Sequence, residues 1–241
     1  MDITDITRAA RKALPLKSCG AVIVAAGSAS RMGGIDKVMA PLAGEPMIVR
    51  TVRAFQNTDA IREIVIVTRE DLLRKIMALC VKFDKVKAVV VGGASRPESV
   101  MAGLNALSAD VKLAAIQVGA RPLITWQVID RVVRAADAYG AAAPAVPVKD
   151  TVKEVRDGGS VERTVDRSSL RAVQTPQVFD VALLRGALLK AWQDGAEVTD
   201  DCSAVERMGM SVKIVEGDER NLKVTTPIDL IIAKMLLEET K

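Results

Sequence analysis

The 241-residue chain contains no histidine. A mechanism that needs an imidazole base, nucleophile or metal ligand is therefore excluded. Aromatic residues amount to only 2%, too few for a surface on which nucleic-acid bases stack. Cysteine occurs three times, at Cys19, Cys80 and Cys202. The number is odd, the spacing is wide and no Cys-x-x-Cys occurs. This speaks against a disulfide framework or a zinc site and for a reducing, cytoplasmic setting. No apolar run approaches the length of a membrane span. Residues 1–18 carry Asp2 and Asp5 and lack the apolar core of a secretion signal. They read as an N-terminal extension, either a short surface helix or a frayed tail. An excess of one charge is lacking too: 34 basic and 30 acidic residues leave a net +4. That suits an anionic small molecule and argues against nucleic acid as a partner.

What is present is apolar and ordered. Hydrophobic residues make up 49% and charged residues 27%, enough for one sizeable core in a single domain over 19–241. Compact apolar runs at Ala21–Ala26, Ile64–Val67, Ala88–Val91 and Leu113–Val118 alternate with stretches of helical period at Pro46–Phe55, Asp71–Phe83, Pro97–Leu107 and Thr125–Tyr139. Such alternation predicts an α/β fold, a mainly parallel sheet with helices on both faces. Ligands of such sheets sit at the carboxyl ends of the strands, where Gly27, Gly92 and Gly119 fall. The rhythm breaks at about 145–170. There two extended runs flank a turn signal, Asp157-Gly158-Gly159, and predict a β-arm projecting from the sheet. A second subunit commonly covers an arm of this kind. Helical patterns resume at Asp180–Asp194 and Asp200–Met208, and Thr226-Pro227-Ile228-Asp229 opens a last helix.

Four segments at strand ends carry glycine, hydroxyl and basic residues. The first runs from Gly27 to Lys37, with Ala25 to Gly33 as its small-residue loop. Small residues let backbone N–H groups approach an anion, and Arg31 and Lys37 add fixed positive charge. It is neither a GxGxxG nor a P-loop, and a plain strand-to-helix turn explains it equally well. The second is Gly92-Gly93-Ala94-Ser95-Arg96-Pro97-Glu98-Ser99. A capped helix start accounts for Ser95 and Pro97 but not for the double glycine. The third, Gly119-Ala120-Arg121-Pro122, and the fourth, Asn221 to Pro227 with Lys223, are weak alone. Together they fit phosphoryl or nucleotidyl transfer, where positioning and charge stabilisation carry most of the catalysis. A phosphate nucleophile is already ionised at neutral pH and needs no histidine base.

The motifs AAGSASRMG, GGASRPESVMAGL, GARPL, VPVKDTVKEV, TVDRSSL, QTPQVF, EVTDDCSAVE and NLKVTTPIDL occur in this order. With them the chain resembles the 2-C-methyl-D-erythritol 4-phosphate cytidylyltransferases of the non-mevalonate isoprenoid pathway, from about residue 19 onward. The resemblance implies a Rossmann-like nucleotidyltransferase fold and a homodimer whose β-arm reaches into the partner. It implies that CTP and a polyol phosphate react to give a CDP-alcohol and pyrophosphate. It assigns Arg31 and Lys37 to the charge around the α-phosphate. It places Ala25, Ala26, Gly27, Gly93, Ser99 and Arg121 around the nucleotide. Thr151, Arg167, Thr175, Thr199 and Lys223 fall to the methylerythritol phosphate, with Thr151 and Arg167 delivered from the partner's arm. It also implies Mg2+, yet the two positions where the family carries metal-side carboxylates are Val118 and Arg220 here; Gln117 before Val118, and Val38 after the loop lysine, also depart from the pattern. A non-catalytic nucleotide-binding relative, and the same chemistry on another polyol phosphate such as ribitol 5-phosphate, are the alternative readings.

Overall fold

Three of the four apolar runs become the centre of the sheet, where strands are covered on both faces, and Ala88–Val91 becomes its edge. The computed structural model describes residues 15–27 and 36–239. In chain order the elements are β1 (Cys19–Ala25), β2 (Pro41–Leu42), β3 (Glu45–Pro46), α1 (Met47–Gln56), β4 (Glu63–Thr68), α2 (Leu73–Cys80), β5 (Val86–Val91), α3 (Arg96–Ala106), β6 (Leu113–Val118), α4 (Trp126–Tyr139), β7 (Ala141–Pro147), β8 (Val152–Val155), β9 (Val161–Val165), β10 (Arg171–Val173), β11 (Gln177–Asp180), α5 (Val181–Gln193), α6 (Asp201–Arg207), β12 (Lys213–Glu216) and α7 (Pro227–Glu238).

Strands β6, β1, β4 and β5 lie side by side and run parallel. Side chains alternate across them. Ala21 and Ile23 of β1 face a core with α1, α2 and α4, including Val52, Ile76 and Val132. Val22 faces the opposite core, with Leu104 of α3, Leu188 of α5 and Val205 of α6. Both layers of helices are thus built on one strand's period of two. The chain passes from β1 to β4 and β5 on one side, then returns as β6 on the other side of β1. The strand order reverses between β1 and β6, and a reversal of this kind opens a crevice at the carboxyl ends.

The sheet is wider than the apolar runs predict. β7 pairs with antiparallel β10 and β11 and with parallel β12. Ala145 faces both Val173 and Glu216, so both edges of β7 are occupied. Residues 145–147, expected in the arm, belong to this strand. The arm itself is the hairpin β8–β9, in which Val152 faces Val165 and Lys153 faces Thr164. Gly158 and Gly159 turn it with φ of +90° and +83°, a conformation that side chains resist. It forms a separate two-stranded sheet and leaves Val155 and Val161 exposed.

All three thiols are buried and unbridged. Burial pushes Cys19 up to about 12 and Cys80 up to about 11, and it raises Cys202 as well. Among the described residues no helix is long and apolar enough to cross a membrane.

A cationic cleft at the strand ends

Four neighbouring parallel strands deliver their carboxyl ends to one cleft of about 430 Å3. β1 contributes Val24 and Ala25, followed by Ala26 and Gly27. β6 contributes Val118, followed by Ala120. Arg69 follows β4, and Gly93 to Arg96 follow β5. Lys37, Val38, Ser99 and Lys223 complete the wall. The charged side chains of this lining are Lys37, Arg69, Arg96 and Lys223, all cationic. A larger hollow of about 630 Å3 lies at the opposite ends of the strands, against Cys19 and Arg62. It has none of the glycine- and hydroxyl-rich loops.

The loop after β5 is shaped by close approach. A Cβ on Gly92 would sit 2.7 Å from both Ala26 Cβ and Ser99 Oγ, and one on Gly93 would sit 2.3 Å from Glu98 Cβ. This accounts for the double glycine, which a helix cap alone does not. Ser95 Oγ accepts from Glu98 N at 3.3 Å, and Ser95 N donates to Glu98 Oε2 at 2.9 Å. The reciprocal cap fixes the start of α3, whose exposed N–H groups favour an anion. Ser99 Oγ donates to Ser95 O at 3.0 Å, so its hydroxyl braces the loop. Arg96 Nη2 pairs with Asp201 Oδ2 at 2.5 Å across to α6. Asp201 is 2% exposed; burial pushes its carboxyl up and Arg96 pulls it partly back.

Lys37 opens a short 3-10 turn, Lys37–Met39, capped by Asp36, whose carboxylate accepts from Val38 N at 3.1 Å. Buried Val38 anchors that turn in the core. Lys223 sits on an irregular segment that buried amides hold in place. Gln174 Nε2 donates to Asp218 O at 2.8 Å, and Asn221 Nδ2 donates to Thr175 O at 3.0 Å. Val224 N donates to Ala120 O at 2.9 Å, tying the segment to the end of β6.

Of the residues expected around the nucleotide, Ala25, Ala26, Gly27, Gly93 and Ser99 line the cleft with Lys37 and Lys223. Arg121 does not. It is buried behind the wall, its Nη1 donates to Asn221 O at 2.5 Å, and burial pushes it down to about 10. Thr175 is also behind the wall, where its Oγ1 accepts from Val118 N at 3.2 Å. Thr199 lies just before α6, and Thr151 and Arg167 lie at the two ends of the arm. None of these three lines the cleft within this chain. Arg31 lies outside the described residues, as does the rest of 28–35. The residues missed at the sequence level are Arg69, Asp36 and Asp201. The one signal for Arg69 is a basic residue two positions after the apolar run Ile64–Val67.

The lining does not fit a chain-held Mg2+ ion. Such an ion takes oxygen ligands, and Val118, at the end of β6, offers an aliphatic side chain. Arg220 does not face the cleft either: its Nη2 donates to Leu236 O at 2.6 Å, at the end of α7. Among the described residues no group of three or more acidic, cysteine or histidine side chains is placed to hold a metal.

The family model for 2-C-methyl-D-erythritol 4-phosphate cytidylyltransferase (IspD) matches residues 19–239. The enzyme of that name from Caldanaerobacter subterraneus subsp. tengcongensis is 41% identical over 228 residues, covering 91% of this chain and 98% of its own. That of Symbiobacterium thermophilum is 46% identical over 219 residues, 90% and 92% of the two chains. Among solved structures, 4-diphosphocytidyl-2C-methyl-D-erythritol synthase from Anaerococcus prevotii superposes with a TM-score of 0.84 at 30% identity, covering 92% of this chain and 99% of that one. The cytidylyltransferase of Thermus thermophilus gives 0.76 at 32%, over 92% and 99%. With a match over nearly its whole length, this chain belongs to the 2-C-methyl-D-erythritol 4-phosphate cytidylyltransferase family.

Proposed function

We propose that the cleft binds CTP and 2-C-methyl-D-erythritol 4-phosphate and joins them into 4-diphosphocytidyl-2-C-methyl-D-erythritol, releasing pyrophosphate. The observation that carries this reading is the all-cationic lining at the strand-order reversal. Two polyanions must meet there, and their mutual repulsion is the first obstacle to reaction. A phosphate oxygen of the polyol attacks the α-phosphorus of CTP. The new P–O bond forms as the bond to the bridging oxygen of the β-phosphate breaks, and that oxygen leaves with pyrophosphate. No proton needs removal from an ionised phosphate, which fits a chain without histidine. Lys37 and Arg31 stabilise charge at the α-phosphate. Ala25, Ala26, Gly27 and Gly93 let the backbone approach the nucleotide. Lys223 holds the polyol phosphate, and Thr175 and Arg121 set the wall behind it. The exposed arm reaches a second copy in a homodimer, bringing Thr151 and Arg167 to the partner's cleft beside Thr199.

The test is pyrophosphate release with CTP and a panel of polyol phosphates, with the product identified by mass. The methylerythritol ester is turned over at least about tenfold more efficiently than ribitol 5-phosphate, a margin of about 1.4 kcal/mol in transition-state binding. Binding of CTP without turnover of any polyol sinks the reading and favours a non-catalytic nucleotide binder.

A second expectation concerns the metal. Val118→Asp places a carboxylate in the cleft wall, so it lowers the Mg2+ concentration for half-maximal rate about tenfold. Arg220→Asp adds little, because position 220 faces Leu236. A Mg2+ titration of the two single variants and the double variant decides this. An equal effect at both positions would contradict the geometry.

A further inference from the structure

We infer that Arg69 is the positioning residue for Lys37, joining Gly27 at the exit of β1 to Asp36 at the cap of the Lys37 turn. The inference rests on the reading that Lys37 meets the α-phosphate. Arg69 follows β4 directly and lines the cleft. Its Nη2 donates to Asp36 Oδ2 at 2.6 Å. Its Nη1 donates to Gly27 O at 3.4 Å. Gly27 and Asp36 are the described residues on either side of 28–35, so one guanidinium reaches the exit of β1 and the entry to the turn. Asp71 holds that guanidinium from behind, accepting from Nε and Nη2 at 3.0 Å each.

Asp36 is the link. One carboxylate oxygen caps the turn through Val38 N and the other is held by Arg69. Lys37 lies between the cap and Val38, which is 2% exposed. The base of the lysine is thereby referenced to the end of β4 through a single charged contact. Two carboxylates on Arg69 offset most of its positive charge. Its contribution is therefore direction rather than attraction for the triphosphate. A planar, multiply donating guanidinium makes these contacts at once; an ammonium cannot.

The experiment separates position from binding. Arg69→Met and Asp36→Asn each lower kcat about tenfold, the scale of a small misplacement of a reacting partner. Each leaves the Kd of CTP, measured by calorimetry without the polyol, within about threefold. The double variant is no slower than the slower single variant, because both break one link. Arg69→Lys recovers only part of kcat. Should Arg69→Met prove insoluble, Asp36→Asn and Arg69→Lys carry the same comparison. Additive losses overturn the inference. So does a rise in the Kd of CTP at constant kcat, which would make Arg69 a phosphate ligand. Lys37→Ala is the reference. If it leaves kcat unchanged, the reading of Lys37 fails and this inference with it. If it slows the reaction while Arg69→Met does not, only the inference fails.

Discussion

Replacing Lys37 by alanine lowers kcat by about 10²- to 10³-fold, the loss seen when one preorganised donor to a developing charge is removed. The size follows from the setting. Lys37 projects from a turn capped by Asp36 and anchored by Val38, so its ammonium needs little reorganisation when charge develops at the α-phosphate. CTP affinity changes much less, by about threefold, because Lys223 and the glycine-lined backbone at Gly27 and Gly93 still line the same cleft. The loss falls on the transition state and leaves ground-state binding largely intact. Steady-state pyrophosphate release paired with CTP calorimetry checks both halves. A large loss of CTP affinity at unchanged kcat would reassign Lys37 to simple binding.

Arg96→Met destabilises the fold by about 2–3 kcal/mol near neutral pH. Removing one partner of a fully buried ion pair costs about 3–5 kcal/mol. Here Asp201 is 2% exposed but the Arg96 side chain is 30% exposed, which reduces the figure. The loss has a definite pH signature. Burial already raises Asp201 above its ordinary value, and Arg96 opposes that rise. Without Arg96 the folded-state value climbs further, while the unfolded value stays near about 3.9. Between those two values the folded state holds the extra proton. Stability therefore falls as pH rises through this window and is highest below it. Urea unfolding at several pH values from 4 to 8 shows the variant losing stability more steeply with pH than the parent. A parallel offset at all pH values would mean that Asp201 is not the group left stranded.

The central sheet was readable because β1, β4 and β6 carry apolar runs, the pattern of parallel strands buried on both faces, while β5, at the sheet's edge, shows its run only from Ala88 onward. Leu113–Val118 has the same ends in sequence and structure. β7 was not readable. Its Ala-Ala-Ala-Pro-Ala carries no β-branched residue, and the pairing on both its edges is made by segments about 30 and 70 residues away, a tertiary fact that local pattern does not hold. The same applies to the site. Gly93 and Ser99 stand in a motif and Lys37 closes the first strand-end segment, so their convergence on one cleft could be anticipated. Arg121 stands in a motif too, yet it serves the wall, because a strand-end arginine can turn inward as readily as outward. Arg69 and Asp201 act through partners 33 and 105 residues away, and nothing in the spacing announces such pairs.

The buried thiols have a consequence for how the protein responds to acid and base. With Cys19 and Cys80 pushed to about 12 and 11, Cys202 raised as well, and no imidazole anywhere in the chain, neither type of side chain exchanges a proton near neutrality. The second ionisation of a phosphate monoester lies near about 6. Cysteine and histidine therefore leave no mark on the rate near neutrality, where the substrate's own phosphate titrates.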